Sequence, residues 1–426
     1  MRREIRLTLP KLLFFSQKSV WHSFSTLGYI IPSIRFGLTK KSALLMTLLL
    51  FSWFRLQAID LTKQDFRYLY DPYSPVGIKH KLTQTNNDFT LYIMLTLKNP
   101  LRQEYFFNID ILAQQGYKDK GDVVIETELI KQDSTRKLIL LKYQFKVDEK
   151  YDLLVGNFLI NSINYYYDIP IHSGLKFPTP EIVPLKKNGW PYFDYYIVQG
   201  NTVDFGRMAY TFQYNDQFGT SMPPMASDPE PSSNTIKIDS SFVSASFTPD
   251  NERILFFNQT DSSSNAGCSF LSVSPYYPKL RRIDDLAKSI LYLCKKEEYE
   301  RIQYASDTKK EFDRFWISLV NSPDRARSIL KRYFTHVTHA NTFFTNYKEG
   351  WRTDRGMIYI IYGNPKEVIR SDDKEIWTYT INGKKQNFNF AKVPNLFVQH
   401  HYVLIRDKDL SKVWLNEVGI WRKGNM

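Results

Sequence analysis

The residues best suited to chemistry lie in one short segment near the C-terminus. Residues 350–356 read Gly-Trp-Arg-Thr-Asp-Arg-Gly, which sets the carboxylate of Asp354 beside the guanidinium of Arg355. The amide of Asn341 precedes them on a predicted helix. Together these groups could line a cleft that binds a polar ligand or serves a hydrolase. No paired base or nucleophile accompanies them, so the residue types favour binding over catalysis, and we predict no catalytic residues.

A purely structural explanation of the same segment competes with the cleft, and we prefer it. The apolar run Met357–Tyr362 follows directly, and we predict it to be a strand. Asp and Gly are turn residues, so a tight turn with Trp351 packed beneath it would account for the motif. In such a turn Asp354 would contribute about 1 kcal/mol through a hydrogen bond to the backbone. Asp354→Asn should then be nearly silent.

Histidines are the other candidates for chemistry. His336 and His339 lie three apart on a predicted helix and share a face. His400 and His401 are adjacent on a predicted strand and must point to opposite sides. Zinc could use the helical pair and one strand histidine. The chain has no His-Glu-x-x-His pattern, no Gly-x-Ser-x-Gly and no phosphate-binding glycine loop, and we predict neither a metal nor a cofactor.

The C-terminal segment resembles the GWxTD domain family over roughly residues 278–426. Further matching groups follow the family's order: Phe315-Trp316, Ala340-Asn341, Phe344, Tyr362-Gly363-x-Pro365 and Glu375-Ile376-Trp377-x-Tyr379. A proline pair is common in the family where this chain has Asn364-Pro365. The resemblance implies an exported bacterial protein, often with β-sandwich modules ahead of the domain, and no particular activity. The motif residues, whether structural or ligand-binding, are Gly350, Trp351, Thr353, Asp354, Arg355, Gly356 and Asn341.

Upstream of this segment the chain reads as β structure. Phe89, Leu91, Ile93, Leu95 and Leu97 alternate with more polar residues, as in a half-buried strand. Similar runs separated by turn residues continue through residues 60–172, and this spacing predicts an immunoglobulin-like β-sandwich module. Residues 173–280 predict a second β-rich module with strands near 203–214 and 241–247, and with a flexible insert at 222–234 that is rich in Pro and Ser.

Residues 281–426 predict an α+β domain of helices followed by an antiparallel sheet. Ser322-Pro323-Asp324 has the features of a helix start. The buried face of that helix would carry Ile329, Tyr333, Val337, Ala340 and Phe344. Strands are expected at 357–362, 375–380 and 397–406, with a last one at 413–421. The predicted fold class is therefore α+β, with one or more sandwich modules followed by this domain.

The first 58 residues read as an extension and a secretory signal. Lys40-Lys41 precede the apolar run 42–54, and Ala58 supplies a small residue for cleavage just before Ile59. An uncleaved signal anchor is the alternative, and the basic residues 1–39 fit either a long leading region or a translation start near Leu38. Cys268 and Cys294 would then meet oxidising conditions, as a disulfide or as two separate thiols.

The distribution of charge excludes one class of partner. Nine basic side chains and one acidic side chain within residues 1–58 account for +8 of the net charge of +13. The remaining long chain carries only +5 without a basic aromatic tract, so we predict no nucleic-acid binding.

We expect a periplasmic or cell-surface protein that acts as a non-enzymatic binding or structural module. Its partner would be an envelope protein or a surface polymer, and it would contact the membrane only through the export signal. The alternative is an envelope hydrolase with its site around Asp354, Arg355 and Asn341.

Overall fold

Eight strands between residues 76 and 170 form two four-stranded antiparallel sheets. A computed structural model of the chain describes residues 59–99, 108–119, 123–135, 137–171, 179–214, 220–225, 238–249, 252–258, 267–393, 395, 397–398 and 401–424. The strands are β1 Val76–Thr85, β2 Asp88–Leu97, β3 Asn108–Gln114, β4 Val123–Val124, β5 Glu128–Ser134, β6 Leu138–Phe145, β7 Leu153–Ile160 and β8 Ile163–Pro170. Their orders are β1-β2-β6-β5 and β4-β3-β7-β8.

The two sheets share one hydrophobic core, which both of them line with alternate residues. In β2 the side chains of Phe89, Leu91, Ile93, Leu95 and Leu97 are all buried there, which confirms the period-two pattern of this strand. Strand β7 is buried on both faces over most of its length, because some of its residues also contact the C-terminal core. Alternation in sequence therefore predicted the sheet face, and burial of its apolar surface drives the packing.

A five-stranded sheet follows in the middle of the chain. Its strands are β9 Tyr196–Val198, β10 Val203–Tyr214, β11 Ile238–Phe247, β12 Ile254–Asn258 and β13 Gly267–Val273. They lie in the order β11-β10-β12-β13-β9, and only the β13–β9 pair is parallel. The strands expected near 203–214 and 241–247 are confirmed. Most of the predicted insert at 222–234, and all of the predicted signal at 1–58, lie outside the described residues.

Helices dominate the next part of the chain. They are α1 Ile283–Ser289, α2 Lys296–Gln303, α3 Thr308–Val320, α4 Pro323–Phe344, α5 Asp354–Tyr362 and, at the end, α6 Leu410–Lys423. Ser322 caps α4, Pro323 opens it, and the predicted apolar face is buried, so both predictions for this helix are confirmed. Within the described residues, none of the helices combines the length and the apolar character needed to cross a membrane.

Between α5 and α6 lies an antiparallel meander of four strands. They are β14 Glu367–Arg370, β15 Lys374–Ile381, β16 Lys384–Val393 and β17 His401–Leu404, paired in chain order. The strand predicted at 375–380 is confirmed as part of β15. The described part of the chain is therefore α+β, with mostly antiparallel sheets and with its α-helices in the C-terminal part.

Two strand predictions in this domain were wrong. Met357–Tyr362 belongs to helix α5, and Val413–Trp421 belongs to helix α6. Met357 to Ile361 are buried on every side of α5, so the apolar run has no polar face to reveal a helical period. In α6 the buried residues Leu410, Trp414 and Trp421 follow helical spacing, and Gly424 ends the helix in a left-handed conformation.

The core of the C-terminal domain extends to the start of the described chain. Ile59, Leu61, Phe66 and Tyr70 are buried in the same hydrophobic cluster as the helices and the meander. They lie in and around two short 3-10 turns, Leu61–Lys63 and Arg67–Tyr70. The segment that leads into β1 is therefore part of the C-terminal core.

Candidate functional site

The motif segment forms a 3-10 turn, Gly350–Arg352, packed against the end of α4. A side chain at position 350 would collide with the backbone carbonyl of Ala340, so the close approach requires glycine. Asn341 Oδ1 accepts a hydrogen bond from the backbone N–H of Trp351 at 3.0 Å, and Asn341 Nδ2 donates to the Pro278 carbonyl at 2.9 Å. Asn341 is fully buried, and its amide holds backbone in place.

Thr353 and Gly356 form the start of α5 rather than a turn before a strand, which corrects the expected structure. Thr353 Oγ1 accepts from the backbone N–H of Gly356 at 3.0 Å and donates to the Gly350 carbonyl at 2.7 Å. Thr353 is thus the N-cap of α5. A side chain at 356 would collide with the carbonyl of Gly350. Gly350, Gly356 and Thr353 therefore allow the 3-10 turn to pack closely against the start of α5.

Trp351 is buried, as the structural explanation expected, and it is tied down by polar contacts. Its Nε1 donates to Glu349 Oε2 at 2.9 Å, and its backbone carbonyl accepts from the Tyr292 hydroxyl at 2.8 Å. Burial raises the pKa of Glu349 to about 7, although Arg352 and the indole hydrogen bond oppose the rise. A carboxyl group that titrates near neutrality therefore sits against the motif tryptophan.

Asp354 forms a buried ion pair with Arg406. Asp354 Oδ1 lies 2.6 Å from Arg406 Nη2, and Oδ2 accepts from Arg406 Nη1 at 3.0 Å. Oδ2 also accepts from the backbone N–H of Leu404 at 2.6 Å. The side chains of Asp354 and Arg406 are 2% and 12% exposed. Both carboxylate oxygens are therefore engaged, and they join the start of α5 to the end of β17.

Arg355 turns toward a different set of groups. Its Nη1 donates to the Tyr70 hydroxyl at 2.9 Å and lies 3.5 Å from Glu375 Oε1. The guanidinium carbon lies 4.1 Å from the centre of the Tyr402 ring and 5.3 Å from that of Phe344. Such cation–π contacts attract the guanidinium group to the aromatic rings around it.

Next to Arg355 lies a buried network of charged groups that links the first sheets to the C-terminal domain. Arg370 on β14 donates through Nε to Glu375 at 2.8 Å, through Nη2 to the Tyr70 hydroxyl at 2.6 Å, and through Nη1 to Asp168 on β8. Asp168 also accepts from the Tyr117 hydroxyl. Burial opposes ionisation of Glu375, but Arg370 and Arg355 hold its pKa below the usual value. The two arginines therefore favour the ionised form of Glu375, and the network is shared by distant parts of the chain.

Arg355 and this network border a cavity of about 220 Å³. The cavity lies between β1 and β8 of the first sheets, the segment before β9, and the C-terminal domain. Its lining includes His80, Tyr167, Phe193, Tyr195, Thr342 and Arg355. Aromatic walls with a few convergent polar groups are typical of small-molecule sites.

The structure separates the residues that the cleft hypothesis grouped together. Arg355 lines the cavity, whereas Asp354 and Asn341 are buried and held by the contacts described above. Four residues of the network were not predicted from the sequence to share one site: Tyr70, Asp168, Arg370 and Glu375. The sequence contained one signal for this site, an acidic residue inside the apolar strand Tyr-Tyr-Tyr-Asp-Ile at 165–169. An acidic side chain is rarely buried unless it is paired, so this pattern indicates a buried partner.

The histidines and cysteines have separate surroundings. His336 Nδ1 lies 2.8 Å from the Ile360 carbonyl, and His401 Nε2 lies 3.3 Å from the Tyr347 hydroxyl. His400 lies outside the described residues. Among those that are described, no group of three or more His, Cys, Asp or Glu side chains is arranged to hold a metal ion. Cys268 and Cys294 are free thiols, and burial raises the pKa of each to about 12.

Comparison with known proteins identifies the region that contains this site. Residues 254–423 match the model of the GWxTD domain family. The match begins in β12 and ends with the last residue of α6, so it includes the motif turn, α5 and the meander. No curated protein matches the chain.

Proposed function

Because residues 254–423 are a GWxTD domain, we propose that this chain is a non-enzymatic binding protein of the bacterial envelope. The family resemblance implies an exported bacterial protein, and the pattern of residues 40–58 supports export by a secretory signal. The protein would act in the periplasm or at the cell surface. Its partner would be an envelope protein or a surface polymer.

The cavity beside Arg355 is the observation that carries this proposal. Three parts of the chain meet there, and they present aromatic rings, a histidine and two arginines to one space of about 220 Å³. Binding sites occur preferentially where separate structural parts meet. Both the position and the chemistry of the cavity therefore support a site that binds a small group of the partner.

The surroundings of Asp354 favour binding over an envelope hydrolase. A general base must reach the proton that it removes, and a nucleophile must reach its substrate. The Asp354 carboxylate is 2% exposed, and both of its oxygens already accept hydrogen bonds from Arg406 or Leu404. Its contacts are those of a structural ion pair.

The two sheets that precede the domain would serve as an immunoglobulin-like spacer or docking module. Their strand orders, β1-β2-β6-β5 and β4-β3-β7-β8, correspond to the orders A-B-E-D and C′-C-F-G of the immunoglobulin fold. Strand β5 lies at a sheet edge with every residue exposed, including Leu129 and Ile130. An exposed edge can accept a strand from a partner protein.

A pair of matched substitutions on α4 tests whether the cavity is the functional site. Thr342 lines the cavity and Thr335 does not. Both are exposed, and each hydroxyl donates to a carbonyl four residues earlier at 2.8 Å. Thr342→Trp should fill the cavity, whereas Thr335→Trp adds the same bulk elsewhere on the helix.

The two variants are introduced into a host strain in which the gene has been deleted. We expect Thr335→Trp to restore the wild-type phenotype and Thr342→Trp to fail, with both proteins melting like the wild type. Full complementation by Thr342→Trp would show that the cavity is not the functional site. A stable Asp354→Asn protein that loses function would instead favour the hydrolase.

A further inference from the structure

We propose that the cavity binds a small carboxylate carried on a ring, with Arg355 as the group that holds the carboxylate. This inference rests on the proposed binding function and specifies the ligand. An acidic sugar and an aromatic acid share this chemistry, and the experiment below distinguishes them.

Arg355 has hydrogen-bond donors to spare at the cavity. Among the described residues its one hydrogen bond runs from Nη1 to Tyr70, which leaves Nε and Nη2 available. The guanidinium carbon also lies over the aromatic rings of Tyr402 and Phe344, at 4.1 and 5.3 Å from their centres. A carboxylate suits this group because its two oxygens match two parallel N–H donors.

Arg355 is itself paired with Glu375 at 3.5 Å, but cations outnumber carboxylates in the cluster around it, so the cluster as a whole carries excess positive charge. Glu375 Oε2 accepts from Arg370 and Tyr70, and its Oε1 accepts from Trp377 Nε1 at 2.7 Å. Asp168 accepts from Arg370 and Tyr117. At the other side of the cavity Asp194 pairs with Lys79. Two carboxylates thus face Arg355 and Arg370, and Lys392, which donates to Tyr117 at 3.0 Å, adds a third cation.

The size and walls of the cavity limit the rest of the ligand. A volume of about 220 Å³ equals that of about seven water molecules, and it is smaller than a site for a drug-sized molecule. Tyr167, Phe193 and Tyr195 offer ring faces and edges against which a six-membered ring can pack. Tyr195 is 43% exposed, so this side of the cavity is open to solvent.

Calorimetric titration of the full-length protein tests the proposal. The probes are glucuronate and benzoate, each beside an uncharged counterpart, glucose and benzyl alcohol. We expect at least one acid to bind at least tenfold more tightly than its counterpart. Hydrogen bonds between charged groups support a difference of about tenfold to a hundredfold. The acid that binds also tells whether the ring is a sugar or an aromatic group.

Substitutions assign that difference to Arg355. Arg355→Gln should reduce the affinity for the acid to that for its uncharged counterpart, and Arg355→Lys should lie between, because it keeps charge without the planar fork. Arg327→Gln, at an exposed position of α4, is the control and should bind like the wild type. If Arg355→Gln does not fold, the comparison of each acid with its uncharged counterpart in the wild-type protein still tests whether the cavity selects a carboxylate.

Equal affinity for acid and counterpart, or no binding of either acid, would overturn the proposal. If the acids fail these tests while Thr342→Trp still does not complement the deletion, only the carboxylate proposal is refuted and the cavity remains the functional site. If Thr342→Trp complements fully, the cavity is not the functional site and the proposed function is refuted as well. The two failures are therefore distinguishable.

Discussion

Replacing Asp354 with asparagine should destabilise the protein substantially, although the sequence alone predicted almost no effect. The substitution keeps the shape of the side chain and removes its charge. Arg406, only 12% exposed, would then remain buried without a counter-ion. Removing one partner of a buried ion pair costs about 3–5 kcal/mol. Asparagine can still accept from the Leu404 N–H, which retains about 1 kcal/mol. We therefore expect a loss of about 3 kcal/mol.

Urea denaturation of the full-length protein, followed by tryptophan fluorescence, measures this loss. Asp324→Asn is the matched control, since Asp324 also lies in the first turn of a helix and pairs with an arginine, Arg327, at 2.9 Å. That pair is exposed on both sides, so its loss should cost less than about 1 kcal/mol. The difference between the two variants isolates the effect of burial.

A double variant tests the reason for the loss. Arg406→Met in the Asp354→Asn protein removes the unpaired guanidinium and should recover part of the lost stability. A coupling energy above about 1 kcal/mol is expected between the two positions. A loss below about 1 kcal/mol for Asp354→Asn alone, or no coupling with Arg406, would refute the argument.

Three further predictions rest on the described contacts, and a fourth rests on the N-terminal sequence. Gly350→Ala should cost about 3 kcal/mol in urea denaturation, because its new methyl group collides with the Ala340 carbonyl; an unchanged midpoint would contradict the close packing. Burial raises the pKa of Glu349 to about 7, so the folded protein takes up a proton there and stability should fall as pH rises from about 4.5 to 7. Glu349→Gln should remove this slope from the midpoint of thermal unfolding, and a slope that persists would exclude Glu349. Phe66→Ala should cost about 3–5 kcal/mol, since Phe66 is fully buried in the C-terminal core, and a loss under 1 kcal/mol would place Phe66 outside it. N-terminal sequencing of protein from its host should find a start near Ile59; an intact segment 40–58 on a cytoplasmic protein would contradict export.

Several elements could be predicted from the sequence because their signals are local. The alternation in β2 identified its buried face, since successive side chains of a strand point to opposite sides. Ser322 and Pro323 marked the start of α4, because a helix start needs a side-chain acceptor and tolerates proline. The motif at 350–356 identified the C-terminal domain, which the family match confirms.

Helices α5 and α6 could not be recognised in the same way. A helix is recognised by the contrast between its apolar and polar faces, and α5 has no polar face because Met357 to Ile361 are all buried. In α6 the aromatic and β-branched residues between Val413 and Trp421 favoured a strand on local preference. Packing of Trp414 and Trp421 into the core overrode that preference.

By itself, the sequence determined the α+β class, the family of the C-terminal domain, and the burial of Trp351. Only the tertiary structure decided what the charged residues do. Asp354 meets Arg406 across 52 positions of the chain, and Arg370 meets Asp168 across 202. Such pairs leave no periodic or capping signal, because their spacing depends on how whole sheets and helices pack. The same packing directs Arg355 into a cavity and Asp354, its immediate neighbour, into an ion pair.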